Sequence, residues 1–271
     1  MIRNLSAQRM KLTIAHLYPE AMDLYGDRGN VMAIQRRCQW RGIEVDTVNV
    51  HVGKDADLSD VDLIVMGGGQ DTAQEYVAVD LHRRGAVLRD LIDQGAGALA
   101  VCGGYQLFGA TYTTALGKTF EGIGVFDVHT TASDRRFIGN IAVDARLRRS
   151  GAGRTKLSLV LSGFENHSGL THLGTGAMPL GYVIHGAGNL GDGSTEGALY
   201  KKAIGTYLHG PLLPKNPLLA DHLISSALAH RYGTIAPLVE LDDAMELSAN
   251  RVALERCETG RVAEPLRRLA G

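Results

Sequence analysis

The first half of the chain alternates short apolar runs with longer stretches of helical periodicity. Residues 12–17 read as a strand, 30–41 as an amphipathic helix closed by Gly42, and 44–50 as a second strand with alternating polar and apolar positions. Residues 62–66 form an apolar run that stops at Gly67-Gly68-Gly69. Residues 79–94 repeat with helical spacing up to Gly95, and Ala98-Leu99-Ala100-Val101 then runs into Cys102. Strand and helix alternating in this order predict an α/β fold with a doubly wound, mainly parallel sheet, in which functional groups collect at the carboxyl ends of the strands.

Beyond Tyr112 the pattern changes to apolar segments separated by glycines, at 122–130, 137–143, 157–161 and 182–187. These predict antiparallel strands added to the same core. A further apolar strand, 203–208, ends in His209. Residues 216–231 read as a helix opened by Pro217 and closed by Gly233. The tail, 238–269, is charged and helical in pattern, interrupted by Gly260 and Pro265, and reads as a solvated terminal helix. The expected organisation is an N-terminal extension (1–11), one catalytic domain (12–233) and a helical C-terminal extension (234–271).

Composition narrows the class. With 271 residues and 45% hydrophobic side chains the chain can bury one large α/β core, and a formal net charge of −1 gives no electrostatic reason to expect nucleic acid as a partner. No apolar run reaches the length of a bilayer span, and residues 1–11 lack the apolar stretch of a secretory signal, so a cytoplasmic location is expected. The three cysteines, Cys38, Cys102 and Cys257, are odd in number and far apart, which supports neither a disulfide framework nor a metal site. Cys38 and Cys257 read as structural. His167 and His185 read as packing or hydrogen-bonding residues, with a place in the wall of a site as the alternative for each, and no metal is expected.

Cys102 is the candidate for chemistry. A free cysteine is often a small buried hydrophobe, but one that only fills a core does not need Gly103-Gly104 behind it. A nucleophile on a strand-to-helix turn needs small neighbours, and the adjoining backbone N–H groups favour its thiolate. The apolar strand ending at His209 supplies a base, so the pair suggests a Cys/His hydrolytic site. Gly67-Gly68-Gly69 has neither a GxGxxG spacing nor a following Lys-Ser/Thr, which argues against phosphate binding. Beside the Cys102 turn, its N–H groups could stabilise an oxyanion together with the Gly103 amide; otherwise it is a plain turn.

Three segments, Gly67-Gly68-Gly69-Gln70-Asp71, Cys102-Gly103-Gly104-Tyr105-Gln106 and Tyr207-Leu208-His209-Gly210-Pro211, resemble the class I glutamine amidotransferases, in the branch shared with cobyric acid synthase. Leu17-Tyr18-Pro19, Leu24-Tyr25-Gly26-Asp27-Arg28-Gly29-Asn30 and Gly163-Phe164-Glu165-Asn166-His167 narrow the resemblance to the GatD family, the glutaminase subunits of lipid II isoglutaminyl synthases. The likeness runs from about residue 12 to 232. It implies that Cys102 attacks the glutamine carboxamide to form a γ-glutamyl thioester and release ammonia, with His209 as base and then acid. Gly68 and Gly103 would hold the oxyanion, Gln106 would position the substrate, and Arg136, in preference to Arg135, would grip the α-carboxylate.

The resemblance also implies a heterodimer with a Mur-ligase-like partner, MurT. That partner would bind ATP, with its Mg, and the lipid-linked peptide near the inner face of the membrane, while this chain needs no cofactor. Ammonia would go to the D-glutamate α-carboxyl of lipid II in peptidoglycan synthesis. One position departs from the pattern: many triad amidotransferases carry a glutamate two residues after the histidine, and here that place is Pro211. Another acid of this chain, a Cys/His dyad or an acid from the partner must then serve, and the isolated chain is expected to be a weak glutaminase. The alternatives are a cobyric-acid-type amidotransferase domain, a cysteine peptidase or γ-glutamyl hydrolase, and a catalytically silent binding subunit.

Overall fold

Sheet formation begins with β1 (Lys11–Leu17), which is followed by α1 (Arg28–Trp40), β2 (Glu44–Val50), β3 (Leu63–Met66), α2 (Asp71–Gln94), β4 (Gly97–Val101) and the short α3 (Gly103–Phe108). The computed structural model describes residues 10–148, 156–233 and 237–259. Next come β5 (Thr111–Thr113), β6 (Thr119–Glu121), the long β7 (Val128–Arg148) and β8 (Lys156–Leu173), and β9 (Gly181–His185). β10 (Thr195–Glu196), β11 (Ala198–Tyr200), β12 (Ala203–Thr206), α4 (Pro217–Tyr232) and α5 (Ala244–Thr259) complete the order.

The first sheet runs β11-β12-β4-β3-β1-β2 and is parallel throughout except for the β11–β12 pair. Its central strands β3, β4 and β12 are buried at every position, as expected where both faces are covered. α1 and α4 pack on each other, and α4 also lies on β1 and β4. The second sheet, β10-β9-β7-β5-β6 with β8 against β7, is antiparallel apart from the β5–β7 pair. The doubly wound sheet with added antiparallel strands is therefore present.

Several boundaries differ from the sequence expectation for physical reasons. α2 starts at Asp71 rather than 79, because its polar first turns are held by tertiary bonds, from buried Gln74 Nε2 to Gln106 Oε1 (2.9 Å) and from the Tyr112 hydroxyl to Asp71 Oδ1 (2.7 Å). Residues 122–127 are not a strand. Their amides bond back to the end of α3, with Ile123 N–H on Leu107 and Val125 N–H on Phe108, so their apolar side chains are buried in a turn. The segments 137–143 and 157–161 belong to one hairpin, β7–β8, whose register shifts between Ala132 and Phe137. Of the expected 1–11 extension only residues 10 and 11 are described, and Lys11 already belongs to β1.

The tail is docked rather than solvated. Arg37 of α1 is buried and bridges Asp221 of α4 (2.7 Å) and Asp243 just before α5 (2.5 Å). Asn250 of α5 donates to Ser162 Oγ (3.1 Å) and Asn216 Oδ1 (3.0 Å), and Cys257 is buried. The expected breaks at Gly260 and Pro265 lie outside the described residues.

Glu196 of β10 supports the strand that leads to His209. Its Oε1 accepts from Thr206 Oγ1 and from the Tyr207 amide, both at 2.7 Å, while Oε2 is buried with no hydrogen-bond partner among the described residues. Burial outweighs these donors and pushes the carboxyl from 4.5 up to about 7. Between those values the folded chain holds a proton that the unfolded chain has lost. Stability therefore falls as pH rises through this window, on the order of 3 kcal/mol in all. Glu196→Gln should remove that slope. Urea unfolding of both proteins at pH 4.5 and pH 8 checks it, and a difference between them that does not change with pH would contradict it.

Candidate active site

Four loops meet at the carboxyl edge of the parallel sheet. β4 lies between β3 (Met66 opposite Ala100) and β12 (Thr206 opposite Val101), and β1 adjoins β3. The segments after β1, β3, β4 and β12 carry Asp27, the glycine triplet, Cys102 and His209 respectively.

Cys102 occupies the turn between β4 and α3 with φ 50° and ψ −106°, a left-handed conformation that costs a non-glycine residue about 1–3 kcal/mol. Its neighbours enforce it: the Cys102 N–H donates to the Thr206 carbonyl (2.8 Å), and its own carbonyl accepts from Gln106 N–H (2.9 Å). Close approach explains the glycines. A Cβ on Gly104 would lie 2.8 Å from the Gly67 carbonyl oxygen, and one on Gly68 would lie 2.6 Å from His209 Cε1 and 3.2 Å from Cys102 Cβ. Gly68 thus sits against both nucleophile and base. Gly103 holds the first helical position, where no carbonyl of its own helix can receive its N–H.

His209 is fully buried, and its Nδ1 faces the carboxylate of Asp27 at 3.0 Å from Oδ2 and 3.2 Å from Oδ1. Asp27 is also buried, at the head of α1. An acid of this chain therefore takes the place left open by Pro211, which fixes the Nδ1–H tautomer and leaves Nε2 toward the thiol. Nε2 is buried with no hydrogen-bond partner among the described residues. Burial by itself lowers the imidazole pKa; the negative charge of Cys102 and the bond to Asp27 outweigh it and raise the ring to about 10. Tyr25, with φ 57°, places its ring edge-on against His209 at 5.1 Å between centroids and closes the site from the β1 side.

The expected role of Gly68 changes. Its N–H donates to Asp27 Oδ2 at 2.7 Å, so it braces the acid instead of facing an oxyanion. A buried carboxylate is a strong, charge-assisted acceptor, and it captures the amide. Gly69, next in the loop, lines the cavity with Cys102.

That cavity has a volume of about 300 Å³ and is walled by Cys102, Gln106, Asp71, Tyr112, Arg136 and Asn166, among others. Gln106 is buried behind it, accepting from Gln74 Nε2 (2.9 Å) and donating to the Tyr207 hydroxyl (3.2 Å); its amide is committed to the wall. Arg136 projects from the irregular stretch of β7 and donates from Nε to Asn166 Oδ1 (2.7 Å), and Asn166 reaches the Tyr25 hydroxyl. Arg135 turns instead over the Phe137 ring. His167 stacks on Tyr207 at 3.7 Å and lines the cavity, whereas His185 is exposed in a neighbouring groove. Asp27 and Asp71 were not singled out by sequence reasoning. The available signal for Asp27 was an acid following the first strand of a parallel sheet.

Residues 13–217 match the model of the CobB/CobQ-like glutamine amidotransferase domain. The chain is 34% identical over 246 residues to the GatD subunit of lipid II isoglutaminyl synthase (glutamine-hydrolysing) from Staphylococcus aureus, covering 91% of this chain and 96% of that one. The GatD subunit from Streptococcus pneumoniae is 37% identical over 238 residues, with 87% of each chain covered. The cobyric acid synthase of Pelotomaculum thermopropionicum is 31% identical over 178 residues, or 62% of this chain but 32% of that protein. Among solved structures, PurLQS from Thermotoga maritima superposes with a TM-score of 0.51 at 12% identity over 81% of this chain and 96% of that one, a likeness of fold.

Proposed function

The chain belongs to the CobB/CobQ-like glutamine amidotransferase family, and from that premise we propose that it is the glutaminase subunit of a lipid II isoglutaminyl synthase. The observation that carries the chemistry is the buried line from Asp27 through His209 toward Cys102 at the edge of the substrate-sized cavity. His209 takes the thiol proton through Nε2, and the sulfur attacks the side-chain carbonyl carbon of glutamine. The oxyanion is met by the Gly103 amide, with the neighbouring Gly69 amide taking the part expected of Gly68. Collapse breaks the C–N bond, His209 returns the proton to the leaving nitrogen, and ammonia departs. Water, deprotonated by the same imidazole, then attacks the γ-glutamyl thioester to release glutamate and restore the thiol.

The choice of pathway rests on identity and on how much of this chain is matched: 34% and 37% identity over 91% and 87% of it for the GatD subunits, against 31% over 62% for the cobyric acid synthase. In this reading the ammonia passes to a Mur-ligase-like partner that binds ATP and Mg and amidates the D-glutamate α-carboxyl of lipid II, while this chain itself uses no cofactor. No helix among the described residues is long and apolar enough to cross a membrane. The test is purification of the full chain with its natural partner and addition of glutamine, ATP, Mg²⁺ and lipid II. Isoglutaminyl lipid II formed with nitrogen from glutamine is expected; a complex that releases ammonia yet leaves lipid II unchanged would overturn the pathway.

A further inference from the structure

The catalytic cavity contains two charged side chains of opposite sign, Arg136 and Asp71, and neither forms an ion pair among the described residues. Arg136 is held through its Nε by Asn166, which leaves the terminal guanidinium nitrogens free of that bond. Asp71 is the first residue of α2, and its Oδ1 accepts from the Tyr112 hydroxyl at 2.7 Å. One hydrogen bond to a neutral donor orients this carboxylate without neutralising it. A cation and an anion held apart in one cavity are complementary to a free amino acid, whose α-carbon bears one charge of each sign.

We propose that Asp71 receives the α-ammonium group of the substrate opposite Arg136, so that the site reads glutamine as a free zwitterion and not as a γ-carboxamide alone. This assignment rests on the glutaminase reading above. The tyrosine hydroxyl fixes one oxygen of Asp71 and leaves the other for the ammonium, while the side-chain amide extends toward Cys102. Glutamine whose α-nitrogen is acylated, as within a peptide, has no cation to offer and is disfavoured. The same pairing separates this site from a peptidase cleft, which must accept an uncharged nitrogen there.

The experiment compares ammonia release from L-glutamine and from glutaramate, which is glutamine without its α-amino group, by the full chain purified with its partner. Asp71→Asn keeps the shape of the side chain and an acceptor for Tyr112 but discards the charge. It should raise KM for glutamine about ten- to hundredfold, the worth of one charge-assisted hydrogen bond, with kcat little changed and turnover of glutaramate unaffected. The preference of the wild type for glutamine would then collapse. Equal losses on both substrates, or an unchanged KM for glutamine, would overturn the assignment and leave the glutaminase reading standing. A wild-type complex that releases ammonia from neither substrate would overturn the glutaminase reading and the Asp71 assignment with it. Alkylation of Cys102 by iodoacetamide at the wild-type rate shows that the variant retains its site.

Discussion

Cys102→Ala should abolish ammonia release from glutamine, lowering kcat by at least about 10⁴-fold. The loss should be this complete because no second thiol can stand in. Cys38 is fully buried in α1, where burial pushes its thiol up to about 12, and Cys257 is buried on α5. The substitution removes one sulfur atom from the cavity wall and leaves the backbone bonds of the turn in place. The fold should therefore survive, with its far-ultraviolet circular dichroism unchanged. Ammonia assays on the variant check the prediction, and residual turnover near the wild-type rate would remove Cys102 from the mechanism.

Asp27→Asn should be the second most damaging change, with kcat falling by about 10²- to 10⁴-fold. An asparagine can turn its amide nitrogen toward Nδ1, which favours the wrong tautomer and no longer stabilises the imidazolium. The pH profile gives a readout that simple loss of packing would not. The charge of Cys102 and the bond to Asp27 together raise His209 to about 10, so the imidazolium of the active ion pair persists into the alkaline range. Without the carboxylate, only the Cys102 charge is left to oppose burial, and the alkaline limb should move down. Profiles of kcat/KM against pH for both proteins measure the shift. An unchanged alkaline limb together with near-normal kcat would show that Asp27 does not orient the base.

Asp27 also resolves the departure at Pro211. The sequence leaves open an acid from elsewhere in this chain, a dyad, or an acid lent by a partner, and the fold supplies the first. The reason for expecting a weak isolated glutaminase, an imidazole without an orienting acid, is thereby removed.

The parts of the site that were legible in the sequence are those whose signals are local. Cys102 and His209 each end an apolar strand, and parallel pairing of β4 with β12 carries both to one edge. Asp27 was not legible in this way, because it lies 182 positions from His209 and meets it only through the order of strands in the sheet. The Gly68 assignment failed for a related reason: the loop was correctly placed, but the direction of its N–H depends on a carboxylate contributed by another loop. The β7–β8 hairpin read as separate short strands because the irregular stretch that presents Arg136 interrupts its alternation. The docking of α5 likewise depends on Arg37, whose two aspartate partners are remote in sequence.

The central claim is that Cys102 carries the glutamyl group during turnover. It is tested most directly by supplying hydroxylamine to the full chain during reaction with glutamine, and by mapping glutamyl modification on acid-quenched protein by mass spectrometry. The account predicts γ-glutamyl hydroxamate as a product and a hydroxylamine-sensitive glutamyl group on Cys102. Ammonia released with neither hydroxamate nor modification of Cys102 would contradict it.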